Sequence, residues 1–397
     1  MATEFDHLPG AFWARRIAGD IIMTHDTSDA EDAVKEVPAD KQPAISRRAI
    51  LTGAGAVALA APFVLSARGS VAGPISAFPT GLPDSAVCRV ADSVAATGPL
   101  KKVSLAWNAG AACLVGITTT KEKGIFAKHG LDVELVNFSG STDQLLETIA
   151  TGKADAAVGM ALRWLKPLEG GFDVKIVGST HGGCLRLLVP ATSDIKKLED
   201  LKGKTVAVSD MNSPSKNFFS VRLKKAGLDP ERDVDFRPFP LPLLRTAVEK
   251  GEAHALAEND PMPYLWLKDG QFVEISSNLT DEYANRVCCL IGVRGTTLRE
   301  DKSTASAIVR ALVEGATYAH HNPEEAAATY VPYTAGKVTV EDVTTLAKYH
   351  THGHHPNGAD LKKELTLYAE ELRLVNVLKP STDIGKYVER IYADVLS

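Results

Sequence analysis

The sequence predicts an α/β protein of two lobes, each a mostly parallel sheet with helices on its faces. Three observations predict it. Residues 101–160 alternate short apolar runs with amphipathic stretches, in the order strand, loop, helix, strand, loop, helix, strand. A second stretch repeats the pattern, with Gly152-Lys153-Ala154-Asp155-Ala156-Ala157 answering to Gly251-Glu252-Ala253-His254-Ala255-Leu256. From Asp301 onward the chain reads as nearly all helix.

The elements follow in order. Runs 103–107 and 131–136 are rich in Val and Leu, as strands buried in a parallel sheet are. Between them 112–123 reads as a helix stopped by Gly124. Ser139-Gly140-Ser141-Thr142 precedes a helix over 143–151, closed by Gly152. That loop sits at the carboxyl end of a strand and the amino end of a helix, where unpaired N–H groups and the helix dipole face a ligand. Open α/β sheets bind small molecules in that crevice. The first lobe continues with strand 154–159, helix 161–168, strand 174–178, a loop 180–183 and strand 184–189. Residues 190–200 read as the crossover to the second lobe. There, strand 205–209 leads through Asp210-Met211-Asn212-Ser213-Pro214-Ser215 into helix 216–226, with Pro214 in the first turn, where it has no N–H to lose. Strand 234–239, helix 243–250, strand 253–258, helix 262–268 and strands 272–276 and 287–293 complete it, the last returning to the first lobe. Helices 303–321, 323–330, 339–349, 359–375 and 384–396 are expected on the outside of the first lobe. The expected boundaries are 99–192 and 293–397 for lobe 1 and 193–292 for lobe 2, two Rossmann-like units joined by two hinge crossovers.

The 397 residues are 45% hydrophobic and 23% charged, as in ordinary globular chains. A net charge of −5, with no basic block interleaved with aromatics, argues against a nucleic-acid partner. Arg47-Arg48 precedes the uncharged run TGAGAVALAAPFVLSA, the layout of a twin-arginine export signal. The run is short and rich in Gly for a membrane span. Small residues Ser70 and Ala72 suit cleavage near Ala72, so 1–72 is read as extension and signal, 73–98 as linker, and the periplasm as the destination. Five cysteines (Cys88, Cys113, Cys184, Cys288, Cys289) follow, with no Cys-x-x-Cys. They read mainly as small buried hydrophobes.

Taken together, LKGKTVAVS (201–209), the helix start SPS (213–215), GKADAAVG (152–159) and KEKGIFAKHGLDVELV (121–136) resemble the periplasmic solute-binding proteins of the nitrate/sulfonate/taurine class. The resemblance spans about residues 101–397. It implies the type II periplasmic binding fold and a monomeric, non-catalytic receptor without a cofactor. Such a receptor delivers a small polar solute to the membrane subunits of an ABC permease. A thiamine-precursor branch, comprising hydroxymethylpyrimidine receptors and a related pyrimidine synthase, shares the opening segment, but the synthase's cysteine-rich run is missing here. Neither Gly-x-Ser-x-Gly, His-Glu-x-x-His nor a Walker loop occurs.

The candidate ligand contacts lie on loops after strands. Trp107 is a stacking surface and Asn108 a donor and acceptor. Ser139, Ser141 and Thr142 offer hydroxyls and helix caps. Met160 and Arg163 follow the third strand, and Arg163 is the candidate partner for an anion. His181 stands beside two glycines that would let a ligand near the backbone. The second lobe contributes Asp210, Asn212, Ser213, Ser215, Glu258 and Asp260. The two late carboxylates favour an amine- or amide-bearing solute over a bare oxyanion. His350, His352, His354 and His355 form a secondary candidate metal cluster, in which His350 and His354 would share a helical face.

Overall fold

The computed structural model describes residues 98–397. The export signal, its cleavage near Ala72, the linker up to residue 97 and Cys88 lie outside the described residues. Among the described residues, no helix is long and apolar enough to cross a membrane.

The predicted apolar runs become strands of two five-stranded sheets. Strands β1 (Lys101–Trp107), β2 (Leu131–Asn137) and β3 (Ala156–Met160) run parallel, and β4 (Val174–His181) forms one edge. The second sheet holds β5 (Leu185–Pro190), β6 (Lys204–Val208), β7 (Val234–Pro238), β8 (Ala255–Asn259) and β9 (Phe272–Ser277). β10 (Cys289–Arg294) returns to the first sheet, between β3 and β4 and antiparallel to both. The sheet orders, β2-β1-β3-β10-β4 and β7-β6-β8-β5-β9, correspond position by position. In each sheet the one antiparallel strand arrives straight from the other lobe. This exchange ties the lobes together twice.

The repeat read from the sequence has a physical basis at this level. The Asp155 carboxylate accepts the Ser104 N–H at 3.0 Å, and His254 Nδ1 accepts the Thr205 N–H at 3.1 Å. Gly152 and Gly251, both at φ 74°, turn the chain into those positions, where a side chain would be strained.

Two expectations on the lobe boundary are corrected. β5 pairs with β8 and β9, so the chain changes lobe at residues 182–184, not over 190–200. β10 lies wholly in the first sheet, so the return precedes Cys289 instead of falling at residue 293. An apolar run alone does not say which sheet it joins. The strand expected over 174–178 extends to His181 because β10 supplies partners: the Cys288 N–H donates to the His181 carbonyl at 2.8 Å.

In the first lobe a single 3-10 turn (Ala112–Leu114) leads into α1 (Val115–Glu122), followed by α2 (Ile125–Lys128), α3 (Thr142–Ala150) and α4 (Ala161–Glu169). The second lobe carries α5 (Pro214–Lys225), α6 (Leu244–Glu249) and α7 (Met262–Lys268). Ser141 and Ser213 cap α3 and α5, accepting the N–H groups of Gln144 and Lys216. The tail comprises α8 (Gly295–Glu300), α9 (Lys302–His321), α10 (Pro323–Tyr330), α11 (Val340–Tyr349), α12 (Gly358–Leu374) and α13 (Ile384–Ile391). As expected, α9 packs on α1 and β4, and α12 on α4. The tail also reaches the second lobe, because α12 touches α5 and Glu371 takes Lys225 at 2.6 Å.

Candidate functional site

The helix-start loops of the two lobes meet. The Thr142 hydroxyl lies 3.4 Å from the Asn212 carbonyl, Asn217 Nδ2 donates to the Leu162 carbonyl at 3.3 Å, and the Ala112 N–H donates to the Asp260 carbonyl at 3.3 Å. The lobes are closed on one another at this junction.

Arg163 is the central charge. Only 4% exposed, its Nη1 donates to the Gly140 carbonyl at 2.6 Å and to the Thr142 hydroxyl at 3.1 Å, and the guanidinium lies 5.7 Å from the Phe138 ring centre. Burial pulls its pKa below the usual arginine range, while the charges of Glu258 and Asp210 from the facing lobe act the other way. Its hydrogen bonds nevertheless go to Gly140 and Thr142 and not to a carboxylate. Glu258 is buried opposite. Its Oε1 accepts the Asn259 N–H at 2.9 Å, and Oε2 has no partner. Burial pushes the Glu258 carboxyl up, against the pull of Ser209, the Asn259 N–H and Arg163. The buried Ser215 hydroxyl on the first turn of α5 is likewise unpartnered. A buried cation and a buried carboxyl with a spare oxygen, set on facing lobes, offer a small polar molecule both a donor and an acceptor.

Other candidates take local tasks. Asp210 Oδ1 accepts the Asn212 N–H at 2.8 Å and Asn108 Oδ1 the Gly110 N–H at 2.9 Å, each closing its own turn. Asn212 enters the junction through its carbonyl, and its side chain is exposed. Ser139 is exposed at φ 56°, and Met160 is buried where β3 becomes α4.

Three candidates face elsewhere. The Trp107 indole is 1% exposed and packs edge-on against Tyr330 and Tyr333 at 6.3 and 5.4 Å, so it is a core aromatic and not a stacking surface in the cleft. Asp260 accepts Arg186 Nε at 2.9 and 3.0 Å and the Tyr264 N–H at 3.2 Å, and its Oδ2 lies 3.1 Å from His350 Nε2. It is a structural anion. His181 is buried among thiols, and burial lowers its pKa to about 4. Its two glycines make room for the protein itself: a Cβ on Gly182 would fall 1.7 Å from Thr351 Oγ1, and one on Gly183 would fall 2.2 Å from the Asn278 carbonyl oxygen.

The late histidines do not converge. α11 ends at Tyr349 and His350 is extended, so no helical face joins His350 to His354. His354 Nε2 lies 2.9 Å from Glu364 and His355 Nε2 lies 3.1 Å from Thr317, while His352 packs 5.4 Å from the His181 ring. Arg186, the partner of Asp260, is not among the residues the sequence singles out. A single arginine inside an apolar strand is the signal that was available for it.

The two matched sheets and the double crossover define the class: an α/β protein of two lobes that meet at a polar junction. The chain belongs to the NMT1/THI5-like family, which it matches over residues 113–326. It is 26% identical over 220 residues to the nitrate import ATP-binding protein NrtC of Synechocystis sp., across 51% of this chain. It spans about a third (32%) of that relative's length. Its fold is that of the periplasmic binding proteins. It resembles the alkanesulfonate-binding protein SsuA from Xanthomonas axonopodis pv. citri bound to MOPS (TM-score 0.62, 17% identity, 73% of this chain and 98% of that one). It also resembles the periplasmic nitrate-binding protein NrtA from Synechocystis PCC 6803 (TM-score 0.61, 16% identity, 75% and 87%).

Proposed function

We propose that the chain is the extracytoplasmic substrate-binding component of an ABC importer, a non-catalytic receptor that holds a small polar solute between its lobes. Closing the lobes around the solute would create the state that the permease membrane subunits sense. The family and the fold support the class. The observation that carries the ligand chemistry is that buried Arg163 and buried Glu258 influence each other across the junction without a direct ion pair between them. Arg163 suits a sulfonate or carboxylate end. The free Oε2 of Glu258 suits an N–H donor, and an ionised Glu258 would oppose a bare oxyanion. A taurine-like solute with an anionic end and an amine meets both requirements. An aminopyrimidine is the second reading, supported by the same free oxygen.

Calorimetric titration of the purified protein with an aminosulfonate, an alkanesulfonate, nitrate and an aminopyrimidine tests the reading. The aminosulfonate is expected to bind tightest. Arg163→Ala is expected to cost about 2 kcal/mol or more, roughly a 30-fold rise in Kd. Silence across the whole panel would sink the receptor assignment.

A further inference from the structure

We propose that Cys113, Cys289 and His181 form a binding site for a thiophilic d10 cation, Zn²⁺ or Cu⁺, where the two crossovers meet. Cys184 and Cys288 are the adjoining thiols. The site stands apart from the solute reading and shares with it only the fold.

The three residues come from distant parts of the chain: the turn after β1, the end of β4 and the start of β10. All three are buried, and their ligand atoms lie within 4.8 Å of one another. Cys184 Sγ and Cys288 Sγ are 3.6 Å apart and unbonded. Two sulfurs on one tetrahedral ion, each about 2.3 Å from it, stand about 3.8 Å apart, a spacing inside the 4.8 Å within which the Cys113 and Cys289 sulfurs lie.

The second observation is an imidazole without a partner. His181 Nδ1 lies 2.6 Å from the Gly182 carbonyl, which makes Nδ1 the protonated nitrogen. Nε2 therefore carries a lone pair, and it is buried with no hydrogen-bond donor. A backbone carbonyl fixing the far nitrogen is how ligating histidines are oriented. The neighbouring His352 Nε2 is orphaned as well. A cavity of about 10 Å³ bordered by Cys113, Thr180, His181 and His352 leaves room on the scale of one water or ion. The donor set has two sulfurs, one nitrogen and no carboxylate, which selects soft cations over Mg²⁺ or Ca²⁺. Zn²⁺ would displace one proton from each of two thiols to solvent, and the two thiolates would balance its charge. A bound ion would clamp the two crossovers.

The full chain, reduced and stripped with a chelator, is titrated with Zn²⁺ and Cu⁺ in separate arms against a chromophoric competitor. Native mass spectrometry counts the ions, and Co²⁺ serves as a spectroscopic probe. One ion per chain is expected, with a thiolate-to-cobalt charge-transfer band. Affinity should fall at least ~10-fold in Cys113→Ser, Cys289→Ser and His181→Gln, and remain unchanged in a His354→Gln/His355→Gln double variant. His181→Gln tests the site if a serine variant fails to fold, and titration of the parent chain decides occupancy by itself. No ion bound at about 10 μM, no thiolate band, or loss only in the double variant would each overturn the proposal. So would a Cys184–Cys288 disulfide in the untreated protein that takes up no metal after reduction.

Discussion

Replacing Asp260 by alanine separates a role in the ligand site, which its position after β8 suggests, from the structural role its contacts define. Its carboxylate is fully buried and faces Arg186 Nε at 2.9 and 3.0 Å, His350 Nε2 at 3.1 Å and the Tyr264 N–H at 3.2 Å. Removing it leaves Arg186, whose side chain is 10% exposed, with Glu274 alone at 2.6 Å. Breaking a buried ion pair costs about 3–5 kcal/mol, and the surviving Glu274 contact puts this one at the lower end. For roughly 300 ordered residues the unfolding entropy is about 0.6 kcal/mol/K, so a loss of about 3 kcal/mol lowers Tm by about 5 °C. Scanning calorimetry reads that shift, and solute titration of the same sample reads Kd. Asp260→Asn keeps the shape and one acceptor and is expected to lose less. The expected outcome is a large loss of stability with Kd within about threefold of the parent. A Tm shift under about 1 °C together with a rise in Kd of tens-fold would refute the structural assignment and return Asp260 to the solute.

Two further predictions test the junction and the crossover. Burial raises the Glu258 pKa above its ordinary 4.5, so as pH climbs from 4.5 toward the folded-state value the unfolded chain gives up its proton first and stability falls. Glu258→Gln removes that slope. In urea melts from pH 4 to 7 the variant is expected to gain on the parent as pH rises, and parallel curves would refute the buried, protonatable carboxyl. Gly183→Ala would drive a Cβ to 2.2 Å from the Asn278 carbonyl oxygen and 2.7 Å from its Oδ1, which accepts the N–H groups of Cys184 and Leu185. The overpacking is expected to cost about 3 kcal/mol in urea unfolding, and a loss below about 1 kcal/mol would mean that this crossover is not tightly packed.

The parts of this protein legible in its sequence are those fixed by neighbours close in the chain. Ser141 and Ser213 cap the helices that follow them, because a capping hydroxyl needs only an N–H three residues on. The repeated Gly-x-Ala-x-Ala turn is legible because the motif itself recurs, although the acceptor it presents, Asp155 or His254, serves a strand 51 or 49 residues earlier. The polar site obeys no such rule. Asp260 finds Arg186 from 74 positions away, and His181 has partners at 113, 289 and 352. Trp107 reads as a stacking surface in the sequence because the edge-on pair that makes it a core aromatic comes from α10 and the 3-10 turn after it, more than two hundred residues later. The decisive step is the strand exchange. Once β5 and β10 each cross into the other sheet, residues 181–184 and 286–289 must lie side by side. The buried, cysteine-bearing segments at those positions then meet, with Cys184 Sγ 3.6 Å from Cys288 Sγ. A reading that keeps β5 in the first lobe places Cys184 with its own sheet and never brings it to Cys288.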